Sequence, residues 1–237
     1  MKILIVGATS GIGRAMAEDY LEQGHRVALT GRREENLKEI KEKFPQALTI
    51  KHDIRKTEEA VSLLYKVYTE FGGIDLIVVS AGIGKFNKEL GWEICESVLK
   101  TNILGVTRML TESYRFFQKQ GRGHLVNISS VASHIGNDAN PSYNASKAYQ
   151  SNFMEGLWFK SNKEKKARIT ITDIRPGFVD TRLAQGDTFW KIDTQTASKS
   201  IRKAIDKKKR VAYITGKWGL IAIILKNIPR KLAAKLF

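Results

Sequence analysis

Seven short apolar runs punctuate the chain, at residues 2–6, 26–30, 47–51, 74–79, 125–129, 168–174 and 211–215. They are rich in Ile, Val and Leu at consecutive positions, so each reads as a strand buried on both faces. Between them lie longer stretches with apolar residues at helical spacing, at 11–23, 34–44, 57–71, 92–118, 141–160 and 196–207. Residues 92–118 read as one unbroken helix. This alternation predicts a parallel sheet with helices packed on both faces. The chain has 237 residues and no internal repeat, linker or low-complexity tract. A single doubly wound α/β domain over residues 1–215, with about seven strands, is therefore expected, followed by a distinct tail at 216–237.

Charge sets that tail apart. The formal net charge is +16, yet residues 1–190 carry 27 Lys and Arg against 22 Asp and Glu, whereas residues 191–237 carry 13 against 2. A basic tail points to an anionic surface. Its apolar run from Trp218 to Leu225 is eight residues long, far short of the ~20 that cross a bilayer. Beyond Pro229, Leu232, Leu236 and Phe237 recur near helical spacing, with Lys226, Arg230, Lys231 and Lys235 supplying charge. That make-up suits a helix lying in an anionic membrane interface. In the competing reading, Leu220 to Leu225 packs over a pocket or a partner subunit. No nucleic-acid recognition motif accompanies the charge, and no nucleic-acid partner is expected. Cys95 is the lone cysteine and the first run begins at Lys2. A reducing, cytoplasmic setting is expected, with peripheral membrane contact through the tail.

The first helix is preceded by Gly7-Ala-Thr-Ser-Gly11-Ile-Gly13. Glycines between a strand and a helix permit a tight turn and let the backbone approach a pyrophosphate, whose charge the helix N-terminus favours. The sheet is thus expected to be Rossmann-like. Strand two ends in Thr30-Gly31-Arg32-Arg33, with no acidic residue to take the adenine ribose hydroxyls of NAD. Arg beside that position suits the 2′-phosphate of NADP, and the bland alternative is that Arg32 and Arg33 begin a solvated helix. Asp53 is placed either to meet the adenine edge or to serve as a cap or turn residue. No spacing of His, Cys and carboxylates reads as a metal site.

Proton-transfer chemistry gathers between Asn127 and Lys147. Ser130 follows the fifth run, at the strand end where open α/β sheets bind ligands. Asn140 and Pro141 mark a helix start, the Asn as N-cap and the Pro at the first helical position. Tyr143 and Lys147 then stand at i and i+4 on one helix face. A phenol with a reference pKa of about 10 is a poor acid or base at neutral pH, and a neighbouring ammonium lowers that value. Spacing alone does not choose this pair. Tyr213 and Lys217 have the same separation, and Ser200 lies 13 residues before Tyr213 just as Ser130 lies before Tyr143. Context separates them, because Ser200 falls in a polar helical stretch and Gly216 and Gly219 are expected to interrupt any helix carrying Tyr213. His134 reads as a loop residue flanking the pocket, with a general base as the sharper alternative.

Taken together, Gly7-x-x-x-Gly11-Ile-Gly13, Asp53, Ala81-Gly82, Thr101-Asn102-Ile-Leu-Gly105, Asn127-Ile-Ser-Ser130, Tyr143-x-x-x-Lys147 and Pro176-Gly177 resemble the short-chain dehydrogenases/reductases over residues 1–182. The resemblance implies a catalytic tetrad of Asn102, Ser130, Tyr143 and Lys147. It implies cofactor contacts from Gly7, Thr9, Ser10, Gly11, Ile12, Gly13, Arg32, Arg33, Asp53, Ile54, Ala81, Gly82, Tyr143, Lys147, Pro176 and Gly177. Val179 and Thr181 would hold the nicotinamide amide. Ser130 would bind the substrate oxygen, Tyr143 would give or take its proton, and Lys147 would hold the ribose hydroxyls. Asn102 would position a water linking Lys147 to solvent. The chain departs from the pattern at Val6, where Thr is usual, and at Val79-Ser80, where Asn-Asn is usual.

The function expected is NADP-dependent hydride transfer, NADP(H) being preferred over NAD(H), to or from a small, apolar carbonyl or secondary alcohol. The alternative is a non-catalytic NADP-binding sensor or scaffold, which needs the fold and the glycines but not the tetrad. Residues 182–193 would form the substrate loop, with Leu183, Phe189 and Trp190 as apolar contacts or as packing. The resemblance also implies a homodimer or homotetramer built on the helices at 92–118 and 141–160. Phe116, Phe117, Phe153, Leu157 and Trp158 offer apolar area there.

Overall fold

The computed structural model describes residues 1–181 and 191–234. Leu183, Phe189, Trp190, Lys235, Leu236 and Phe237 lie outside the described residues. Strands β1 (Lys2–Val6), β2 (Arg26–Gly31), β3 (Leu48–Lys51), β4 (Leu76–Val79), β5 (Arg122–Ile128), β6 (Arg168–Pro176) and β7 (Val211–Ile214) form one sheet in the order β3-β2-β1-β4-β5-β6-β7. Every pairing is parallel. The order reverses between β1 and β4, so the crevice at the C-terminal ends of these strands is the topological switch point where such sheets bind ligands.

Helices α1 (Gly11–Glu22), α2 (Glu34–Lys43) and α7 (Thr194–Asp206) cover one face. The other carries α3 (Ala60–Phe71), α5 (Val106–Gln120) and α6 (Pro141–Lys163), with α4 (Trp92–Val98) leading into α5. Strand alternation divides the core: Ile3 and Ile5 of β1 join the first cluster, Leu4 and Val6 the second. All four side chains are 0–1% exposed, each contributing about 1.5–3 kcal/mol of burial free energy. The expected single α/β domain is therefore the observed one.

Several local expectations need correction. Residues 92–118 do not form one helix: α4 and α5 are joined by a π-helical segment, Leu99–Gly105, that contains Asn102. Such wide turns arise where side chains pull on the backbone ladder, and here the buried Asn102 amide is bonded to the backbone of Ile83. Pro141 opens α6 as expected, but Asn140 occupies the cap position without a side-chain cap bond. Gly216 does not break a helix but begins α8 (Gly216–Asn227), which is followed by α9 (Arg230–Ala233). Phe117 and Leu157 are core residues, while Phe116, Phe153 and Trp158 are partly buried against the core, so none of the five is surplus area. The exposed large apolar side chains in that region are Trp92, Leu99, Leu104, Tyr149 and Phe159.

The tail divides its apolar residues between two faces. Trp218 and Ala222 are buried, and the Trp218 ring meets Phe178 edge-on at 5.2 Å. Leu220, Ile223 and Ile224, at i, i+3 and i+4, point outward and are 64%, 61% and 54% exposed. No helix among the described residues is long and apolar enough to cross a membrane.

Candidate active site

The fold brings the four expected tetrad residues together. Ser130 follows β5 and caps a 3₁₀ turn, Val131–His134, its Oγ accepting from the Ala132 amide at 3.1 Å. The Ser130 hydroxyl is close enough to act on the Tyr143 phenol. Lys147 stands one helical turn beyond Tyr143, with Nζ 5.9 Å from the centre of its ring. Nζ donates to the Ile128 carbonyl at 2.9 Å and to Gln150 Oε1 at 3.1 Å. Asn102 is fully buried: its Nδ2 donates to the Ile83 carbonyl (2.8 Å) and Ser146 Oγ (3.0 Å), and its Oδ1 accepts from the Ile83 amide (2.9 Å). Gly82 closes the group, since a methyl there would lie 3.5 Å from Lys147 Nζ and 3.6 Å from Asn102 Oδ1.

Electrostatics in this cluster differ from expectation. Burial raises the Tyr143 phenol above its ordinary pKa, and the Ser130 hydroxyl opposes this. The Lys147 ammonium is not among the causes of that shift, and its Nζ is bonded to Ile128 and Gln150. Lys147 itself is shifted, pulled down from 10.5 to about 8 by burial, with the Asp173 carboxylate acting in the other direction. At neutral pH the phenol is protonated and the amine mostly charged.

Asn102 and Lys147 are linked through a side chain that sequence reading did not single out. Gln150 Nε2 donates to the Asn102 carbonyl at 2.8 Å while its Oε1 accepts from Lys147. A side-chain amide therefore bridges Lys147 and the Asn102 backbone. Gln150 was not among the expected site residues. A signal existed: it stands seven residues after Tyr143 and three after Lys147, a polar residue on the buried face of α6.

The glycine turn is shaped for close approach. Gly7 has φ +88°, and a side chain at Gly13 would sit 2.3 Å from the Gly7 carbonyl oxygen. Ser10 is the N-cap residue of α1. Arg33 lies over the turn, donating through Nη2 to Thr9 Oγ1 (2.9 Å) and Ser10 Oγ (2.6 Å) and through Nε to Thr9 Oγ1 (3.2 Å). Arg32 is exposed and its charge reaches Asp53. Asp53 serves as a turn residue, accepting from the Arg55 amide at 3.0 Å and pairing with its guanidinium at 2.6 Å. Ile12 packs against the core and Ile54 is buried. Ala81 abuts the turn, its backbone 2.6 Å from where a Gly7 side chain would begin. Thr181 Cγ2 would lie 3.1 Å from a methyl on Gly11, so the segment after Pro176-Gly177 returns to the same crevice. Val179 in that segment is buried and bridges to Ile192.

The rival pair falls apart in three dimensions. Tyr213 is on β7, Lys217 on α8 and Ser200 on α7. The Tyr213 hydroxyl instead meets His134 Nε2 at 3.0 Å and Arg175 Nη1 at 3.4 Å. His134 is thus a loop residue held by a strand, and burial lowers its pKa.

Comparison with known proteins is consistent with this geometry. A family model described as short chain dehydrogenase matches residues 1–191. An uncharacterized oxidoreductase of Myxococcus xanthus is 33% identical over 192 residues, 78% of this chain and 75% of that protein. A short-chain dehydrogenase from Burkholderia cenocepacia, solved in complex with NADP, shares the fold with a TM-score of 0.83 at 22% identity, covering 99% of this chain and 97% of that one. One from Burkholderia phymatum, solved with NAD, also gives 0.83 at 19% identity, covering 94% and 91%.

Proposed function

The chain belongs to the short-chain dehydrogenase family, NAD(P)-dependent oxidoreductases acting on CH–OH and C=O groups, and on that premise we propose that it transfers hydride between NADP(H) and a small, apolar carbonyl or secondary alcohol. The observation that carries this reading is the gathering of Ser130, Tyr143 and Lys147 beside the strand ends, with the Lys147 ammonium 5.9 Å from the phenol ring.

The turn after β1 fits a dinucleotide: a positive-φ glycine, a second glycine with no room for a side chain, and a guanidinium over two hydroxyls. Gly7, Thr9, Ser10, Gly11, Ile12 and Gly13 would hold the pyrophosphate, and Arg32 and Arg33 the 2′-phosphate. Asp53, Ile54, Ala81 and Gly82 would line the adenosine side, and Pro176, Gly177, Val179 and Thr181 the nicotinamide side. When bound, the nicotinamide supplies or accepts the hydride. Ser130 orients the substrate oxygen. Tyr143, kept protonated by burial, would donate its proton to that oxygen in the reductive direction, and its phenolate form would take the proton in the oxidative one. Lys147 holds the ribose hydroxyls with its ammonium. One structural neighbour binds NADP and another NAD, so the preference for NADP rests on Arg32 and Arg33.

Two further features complete the reading. The exposed Leu104, Tyr149 and Phe159 support a homo-oligomer formed through the helices that carry the site. Residues 216–237 form an attachment element, the outward Leu220, Ile223 and Ile224 with neighbouring Lys226 and Lys231 suiting an anionic membrane surface. The test of the activity is NADPH oxidation across a panel of ketones, acyl thioesters and steroids. Turnover of at least one apolar ketone is expected, and none with any carbonyl would overturn the proposal.

A further inference from the structure

Gln150 is 1% exposed and every polar atom of its side chain is used. Its Oε1 accepts from Lys147 Nζ (3.1 Å) and from Asn127 Nδ2 (3.3 Å), and its Nε2 donates to the Asn102 carbonyl (2.8 Å). Only one orientation of the amide satisfies these partners. An ammonium donates and never accepts, and a backbone carbonyl accepts and never donates, so flipping the amide would set donor against donor and acceptor against acceptor. Three elements meet at this one side chain: α6 through Lys147, β5 through Asn127, and the π-helical segment through Asn102.

We infer that Gln150 is a positioning residue of the catalytic site, its amide fixing the Lys147 ammonium against the Asn102 carbonyl. The inference rests on the oxidoreductase reading and deepens it. Lys147 has three N–H groups, of which Gln150 and the Ile128 carbonyl take two. These two bonds leave the third N–H for the ribose hydroxyls that are proposed to bind there. Gln150 also acts on protonation. An acceptor bonded to the ammonium favours the charged form against the burial that disfavours it. The titratable groups facing Lys147 among the described residues are Tyr143 on its own helix and Asp173 on β6, the latter paired with Arg175 at 2.7 Å. Asp173 and Gln150 therefore support the ammonium from different elements. Because a carboxamide neither gains nor loses a proton near neutral pH, the bridge anchors Lys147 without passing protons to it.

The experiment compares the wild-type chain with Gln150→Met, which removes the acceptor at similar volume, and Gln150→Glu, which replaces it with a carboxyl group. The Lys147 titration is followed in the cofactor-free protein by carbon NMR of lysine labelled at Cε, its resonance assigned from Lys147→Arg. The pH profile of kcat for ketone reduction is recorded in parallel, and thermal melting checks that each variant is folded. Gln150→Met should lower the Lys147 midpoint by about one pH unit, the scale of one charge-assisted hydrogen bond. Gln150→Glu should raise it by a similar amount, and the alkaline limb of kcat should move with it in each case. A residue that merely fills space would move neither. An unchanged midpoint in either folded variant, or shifts of the same sign in both, would overturn the inference. The NMR reading is independent of turnover: an inactive wild type would remove the oxidoreductase reading, whereas unmoved titrations in active variants would remove only the bridge.

Discussion

Replacing Arg33 with alanine removes the cation nearest the glycine turn, and its effect on the two nicotinamide cofactors should differ. The Arg33 guanidinium is half-buried and held on Thr9 Oγ1 and Ser10 Oγ by contacts of 2.6–3.2 Å. It is therefore pre-ordered at the end of β2, where a 2′-phosphate would lie. A charge-assisted hydrogen bond from such a group contributes about 1.5–3 kcal/mol, roughly 10- to 150-fold in affinity. Arg32 is exposed, and a solvent-screened contact from it should contribute about 1 kcal/mol or less. The expected order is thus a rise in KM for NADPH of at least tenfold in Arg33→Ala, about fivefold or less in Arg32→Ala, and the largest in the double variant. Arg32→Asp should shift preference towards NADH. KM for NADH should change less than about threefold throughout, measured by initial rates with one ketone at saturating concentration. The competing role for Arg33 is to brace the turn itself through the Thr9 and Ser10 hydroxyls. That role would weaken both cofactors equally, and parallel losses, or equal KM values for both cofactors in the unmodified protein, would refute the reasoning.

Lys147 gives a pH prediction. Its ammonium is lost as pH rises through about 8, so reductive kcat/KM should fall on that limb, and a profile flat to pH 10 would count against the assignment. The sign for stability follows from the same shift: because the folded value lies below the ordinary 10.5, this group favours the folded state most above the ordinary value and progressively less as pH falls towards 8. Light scattering at micromolar concentration should report a dimer or tetramer, and a monomer alone would remove the oligomer. The intact chain should sediment with anionic liposomes at low salt more than one ending at Thr215, whereas equal partitioning, or no binding, would leave the tail as part of the fold.

The fold was legible because the strands centre on short runs rich in β-branched and apolar residues, and most helices begin at a glycine, a proline or a charge cluster. The glycine turn and the Tyr143–Lys147 face were legible for a related reason: both depend on residues only a few positions apart. Features that depend on distant partners were not. The π-helical segment around Asn102 is bound to Ile83, 19 residues away, and nothing in a local pattern announces that contact. Phe117 and Leu157 look like surplus apolar area in sequence and prove to be core, because periodicity identifies an apolar stripe without saying what covers it. The Tyr143 pKa was read from its neighbour in sequence, whereas burial decides it. Gln150 is the intermediate case. Its place on the buried face of α6 follows from spacing, but its two partners besides Lys147 come from β5 and the π-helical segment.

Tyr143, rather than the equally spaced Tyr213, is proposed to move the proton. The most direct measurement is the steady-state rate of Tyr143→Phe and Tyr213→Phe beside the wild type, with NADPH binding followed by fluorescence in all three. Tyr143→Phe should lose about 10²- to 10⁴-fold in kcat while binding NADPH within about threefold of wild type, since the lost hydroxyl is proposed to serve the substrate oxygen rather than the cofactor. Tyr213→Phe removes a contact to His134 and should retain most of the activity. Comparable turnover in Tyr143→Phe and wild type, or a collapse in Tyr213→Phe alone, would contradict the account.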